Sequence, residues 1–166
     1  AMIASACLTL ALVHGFVWWW RRDALTHGIF AVAALANAFL AACELAVMRA
    51  ETTDQFGTAL RWGHLAAWLV VVTLVAFIRV YLHAGRLWLA WAIVASRTFV
   101  LVLNFAFPPN LNFREITGLR PVLFLGEWVA TGEGVRNPWM LVGQFGFLLL
   151  MVYAIDAMIT DRKSVV

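Results

Sequence analysis

His27–Met48 reads HGIFAVAALANAFLAACELAVM, twenty-two residues with a single ionisable carboxylate among them. It is apolar almost throughout and long enough to cross a bilayer, which takes about 20 residues as a helix. Asn37 and Glu44 interrupt the pattern. An acidic side chain at the centre of a spanning helix costs about 2.5–3.5 kcal/mol on insertion scales, and less near an interface. The two residues share one helix face with Ala33, Ala41 and Met48. The expectation is that this face looks into protein and that a site lies along it.

The rest of the chain fits a membrane setting. Its 166 residues are 64% hydrophobic and only 13% charged, with a mean hydropathy of +0.87. Soluble domains are nearer half apolar and a quarter charged. The many tryptophans supply rings that favour membrane interfaces. A net charge of +3 without a dense basic cluster does not indicate nucleic-acid binding. Cys7 and Cys43 both fall inside apolar segments, so no disulfide framework is readable. The first segment has no basic lead-in and no evident small-residue cleavage site, and it reads as a span, not a signal peptide. The Ala1-Met2 start and the close at Val166 read as the ends of a piece cut from a longer chain.

The expected architecture is an all-α integral membrane protein, one domain of five spans at about 2–20, 28–49, 58–81, 86–107 and 139–160. The first span ends in WWWRR, an aromatic belt followed by arginines. Pro108-Pro109 stops the fourth, and Asn137-Pro138 opens the fifth. The long connection 108–138 contains two β-compatible runs flanked by Gly and Pro. It reads as a short hairpin or flap across the outer mouth of the bundle, carrying Phe113, Phe124 and Trp128.

Five spans put the termini on opposite sides. One side collects Arg21, Arg22, Arg79, Arg86, Arg162 and Lys163; the other collects Arg49, Arg61, Arg114, Arg120 and Arg136, interleaved with acids. Basic residues in short loops favour the cytoplasm. The expectation is therefore an outer N-terminus and a cytoplasmic C-terminus.

A helix rise of about 1.5 Å per residue ranks the polar residues by depth. Glu44, His64, Cys7, Cys43 and Met48 fall at one outer level, with Arg61 a turn above His64. Three readings compete for this layer. Glu44 pairs with Arg61 or His64 and fastens two helices. Or the layer recognises a ligand or proton, with Glu44, His64, Arg61 and Asn37 as its polar contacts. Or His64, Glu44, Cys7 and Cys43 hold copper or zinc, although no close-spaced motif supports this.

A deeper layer holds Arg97 and Asn104 on one face of the fourth span, with Gln144 and Asp156 as the nearest acceptors by depth. It reads first as a structural clamp and second as further ligand contacts. His14, His27 and His83 lie toward the inner side. A bis-histidine haem would need two of them on facing helices, and His14 could oppose His27 only if the second span starts deep. Gly143 and Gly146 support a close helix contact only weakly, their spacing being three, not four. The sequence contains no HExxH, GxSxG, Walker loop or di-iron pattern, so no enzyme is read from it.

LNFAFPPNLNFREITGLR, then VLFLGEWVATGEGVRNPWMLVGQFGFLLLMVYAIDA, with the His-Gly pairs of HGFVWW and HGIFAV, resembles the N-terminal multi-pass membrane region of proteobacterial sensor histidine kinases, often joined to PAS domains. The resemblance covers most of the chain, but its motifs are those of an input region. It implies a place in the bacterial inner membrane, with more spans and cytoplasmic signalling domains downstream. The chain departs from the pattern by ending at DRKSVV, so no kinase activity is carried over.

The leading expectation is a membrane sensor module that binds a small hydrophobic ligand or redox cofactor. Its expected partners are the bilayer, that ligand, downstream signalling domains and a second copy of the chain. A copper- or haem-binding redox protein and a structural subunit of a membrane complex are the alternatives. A small transporter fits less well, because no broken-helix pair or inverted repeat is visible.

Overall fold

The computed structural model describes residues 2–164, with side chains described through Thr160; those of Arg162 and Lys163, used above for orientation, lie outside them. Five helices form in order: α1 (Met2–Trp20), α2 (Leu25–Met48), α3 (Thr53–Tyr81), α4 (Leu87–Ala106) and α5 (Met140–Ser164). Between α4 and α5 stand two antiparallel strands, β1 (Phe113–Phe124) and β2 (Glu127–Arg136). All five helices are long and apolar enough to cross a membrane.

Two helices start earlier than hydropathy alone places them. The turn before α2 closes tightly, with the Ala24 N–H donating to the Arg21 carbonyl at 2.9 Å, so the helix restarts at Leu25 and not near 28. Before α3, the Thr52 hydroxyl accepts the Gln55 N–H, a side-chain cap that begins the helix at Thr53 and not near 58. Local capping chemistry, invisible to a hydropathy window, sets both boundaries.

The helices pack mainly on their chain neighbours. α1 rests on α2, where Gly28 lies flat against the Trp18 indole: a Cβ there would stand 3.0 Å from the ring. α2 turns its small residues inward, burying Ala31, Ala34, Ala38 and Cys43. Small residues let two backbones approach closely, which is how helices associate where no water drives them together. This choice corrects one expectation. The stripe carrying Asn37 is not the packed face of α2: Asn37 is exposed and its amide donates to its own helix, to Ala33 O at 2.8 Å.

α3, α4 and α5 converge at the end of the bundle away from the hairpin. Val71, Val75 and Ile78 of α3, Leu89, Ala90 and Ile93 of α4, and Tyr153 and Ala157 of α5 form one buried cluster there. Asp156 lies beside it. Its carboxylate accepts the Arg86 backbone N–H at 2.9 Å and pairs with the Arg86 side chain at 3.4 Å. A carboxylate of α5 thus caps the start of α4. Asp156 is therefore not the partner of Arg97 that depth alone made a candidate.

The hairpin is longer and less lid-like than expected. Leu125 and Gly126 turn it with φ of 52° and 86°, the two left-handed residues of a two-residue hairpin turn. Its lower half meets the bundle, through buried Phe113 edge-on to Phe56, Ile116 against Gly57 and Gly132 against the Phe56 ring. Phe124 and Trp128, expected to cover the mouth, are 57% and 69% exposed. The strands pair as far as Phe124↔Glu127, with register shifts at Phe113/Glu115 and Ile116/Gly118, so the outer half of the ribbon extends without leaning on the helices.

Candidate functional site

The expected outer layer acquires its geometry beside the hairpin base, where α2, α3, α4 and α5 leave a cavity of about 520 Å³. Small residues make the room. Ala59, Gly63 and Ala67 of α3 present no bulk to it, and Gly143 of α5 closes the opposite wall. α2 and α3 run close at this level, where a Cβ on Gly63 would meet that of Cys43 in ordinary contact at 3.7 Å.

Into this apolar space project Glu44 from α2, His64 from α3, Arg97 from α4, Gln144 from α5 and Asn112 from the loop before β1. Met48, Met140 and Phe147 supply soft and aromatic surface. The volume lies within the usual range for small-molecule sites, about 300–1,000 Å³.

His64 is held by an ordered asparagine loop. Asn110 is fully buried; its Oδ1 accepts the N–H groups of Asn112 and Phe113 at 2.9 and 3.0 Å, and its amide donates to Gly57 O. That turn sets Asn112 Oδ1 3.2 Å from His64 Nε2. With the amide oxygen as acceptor, Nε2 donates and Nδ1 is left to accept. Asn104, also fully buried, ties the same loop to the helices: it donates to Arg61 O at 3.0 Å and accepts from Leu111 N at 3.1 Å.

Arg97 is 4% exposed. Its Nη1 donates to Gly143 O at 3.2 Å, and the guanidinium lies 4.2 Å from the Phe147 ring centre. Its Nε has no hydrogen-bond partner among the described residues. The acceptor it finds is thus a backbone carbonyl and a ring of α5, not Gln144 or Asp156. Close approach of α5 explains why: Gly146 adjoins Arg97 with no side chain between them. Of the two glycines only Gly146 marks a close contact; a Cβ on Gly143 would meet its nearest neighbour at 3.9 Å.

The remaining expected residues fall elsewhere. Glu44 forms no ion pair with Arg61 or His64; the single ion pair among the described residues is Arg86–Asp156. Arg61 points away from the cavity, its guanidinium 5.9 Å from the Phe105 ring. Asn37 and Asn104 do not line the cavity, and neither does Cys7. Cys43, Glu44 and His64 share it, but among the described residues no three of His, Cys, Asp and Glu gather as a metal site. His14 and His27 do meet, because α2 starts early: their Nδ1 atoms are 2.8 Å apart and the rings are stacked. Two imidazoles ligating one iron would hold their nitrogens about 4 Å apart, twice a metal–nitrogen bond of about 2 Å. The direct contact fills that gap. His83 is exposed in the α3–α4 loop.

Asn110 and Asn112 carry functional geometry that the sequence reading passed over. Their signal is present, since Asn-Leu-Asn after Pro-Pro is a cluster of side chains that bond their own backbone. Compared with protein-family models, curated proteins and solved structures, the chain matches none.

Proposed function

We propose that this chain is the membrane-embedded input module of a bacterial signalling protein, and that a small lipophilic ligand or redox cofactor binds in the cavity among α2, α3, α4 and α5. One observation carries this reading: Glu44, His64 and Arg97, polar groups from three helices, converge on a single apolar cavity beside the hairpin base. An ionisable group buried in an apolar helix, as Arg97 is, is expensive and reads as a site by default. Among the described residues no ion pair joins Glu44 to His64 or Arg61, which favours a ligand over a simple helix fastener.

In this reading the hairpin end faces outward and the C-terminal end of α5 faces the cytoplasm. α5 carries the response: its first turns wall the cavity, and its far end joins the α3–α4 core through Tyr153 and Ala157. A ligand shifts α5 only if it binds two arrangements of the bundle unequally. Such a module acts through signalling domains attached beyond it, and the cavity itself performs no chemistry.

The test is co-purification. Protein isolated in mild detergent is extracted and the extract compared with that of Ala67→Phe, which fills the cavity from a residue with no polar role. A molecule retained by the wild type and missing from the variant supports the reading. Equal extracts from both overturn it. A visible spectrum and metal analysis of the same samples reads the redox-cofactor alternative directly.

A further inference from the structure

The cavity holds one fixed cation and one carboxylate that do not pair with each other. Arg97 lines the cavity while almost wholly buried, and no carboxylate pairs with its guanidinium among the described residues. Glu44 lines the same space from α2, likewise without an ion pair. Between these two groups a head with a charge of its own is attracted by one and repelled by the other. A neutral head lets both groups be satisfied at once, by accepting from the guanidinium and donating to the carboxylate. His64 Nδ1 offers a second acceptor nearby.

Resting on the ligand-binding reading above, we propose that the occupant is an uncharged lipophile whose compact head carries both a hydrogen-bond acceptor, for Arg97, and a hydroxyl donor, for Glu44. A quinol or a hydroxyketone with an alkyl tail has this chemistry. Phe147, Met48 and Met140 suit a flat or hydrocarbon body, sulfur and ring faces being adaptable apolar partners. An anionic amphiphile such as a fatty acid satisfies Arg97 but meets Glu44, and a cationic one meets the reverse.

The experiment titrates protein in nanodiscs of zwitterionic lipid with three probes sharing one decyl tail: decylhydroquinone, decanoate and decylammonium. Heat from empty nanodiscs is subtracted. The wild type binds the hydroquinone saturably, and the two charged probes about tenfold more weakly, one unpaired polar contact being worth about that factor. Glu44→Gln, at an exposed position where the fold does not depend on it, removes the carboxylate that repels an anion and makes decanoate the strongest of the three. Wild-type preference for either charged probe overturns the neutral-head inference, as does an unchanged order in Glu44→Gln. No saturable binding of any probe also overturns it, while the co-purification comparison with Ala67→Phe decides the ligand reading separately.

Discussion

Arg97 and Gly146 are fitted to one another: a Cβ added to the glycine would stand 2.8 Å from Arg97 Cδ and 3.0 Å from Ser96 Oγ. α4 and α5 can therefore approach closely enough for the guanidinium to reach Gly143 O only while position 146 has no side chain. Gly146→Ala is expected to lower stability by about 1–3 kcal/mol, the usual range for overpacking. Gly143→Ala, whose Cβ would find its nearest neighbour at 3.9 Å, is expected to stay within about 0.5 kcal/mol. Reversible unfolding in detergent measures both. Equal effects at the two glycines would mean that the contact with Arg97 does not govern this helix pair.

Two asparagines in apolar helices make opposite predictions. Asn104 serves a carbonyl and an N–H of other segments while fully buried. Asn104→Ala orphans both, at about 1–3 kcal/mol for a buried polar group left without a partner, and loosens the loop that positions Asn112. Asn37 bonds only its own helix and is exposed, so Asn37→Ala is expected within about 0.5 kcal/mol of wild type. A large loss at Asn37 would show that something covers that face of α2.

Much of this was legible in the sequence, and the part that was not has a common cause. Hydropathy fixes the number and rough extent of the five helices because each spans about 20 apolar residues. Depth along the chain brings Glu44 and His64 to one cavity because the helix rise is constant. Depth says nothing about rotation, and rotation excludes Asn37 and Cys7 while turning Arg97 onto Gly143. Rotation follows from which stripe packs, and in α2 that is the alanine stripe, not the polar one. The hairpin was legible from its Gly and Pro punctuation, but not its reach, since apolar residues at its tip read as though they needed cover.

Tyr153 offers a test of the far core. Its ring is fully buried, yet its hydroxyl has no hydrogen-bond partner among the described residues. Removing an unsatisfied buried hydroxyl without changing shape is favourable, so Tyr153→Phe is expected to raise stability by about 1 kcal/mol. A thermal unfolding scan reads this. A clear loss of stability would reveal a partner for the hydroxyl.

The carboxylate cap from α5 to α4 predicts a graded series. Asp156→Asn keeps an acceptor for the Arg86 N–H and is expected to be nearly neutral, because the Arg86 side chain is 69% exposed and such ion pairs contribute little. Asp156→Ala removes the cap and is expected to cost about 1 kcal/mol, the usual worth of a helix cap. The difference should persist in high salt. If Asp156→Asn is as damaging as Asp156→Ala, or if salt erases the loss, the charge and not the cap is what matters.

The most direct measurement of the central claim is saturable photolabelling in membranes. A decyl-tailed hydroquinone carrying a diazirine is illuminated with the protein, and labelled peptides are mapped with and without excess unlabelled probe. The account predicts competed labels on the cavity walls around Cys43–Met48, Ala59–Ala67 and Met140–Phe147. It also predicts that these labels disappear in Ala67→Phe. Labels spread over exposed apolar faces such as Leu8, Leu12 and Phe16 of α1, undiminished by competitor, would contradict it.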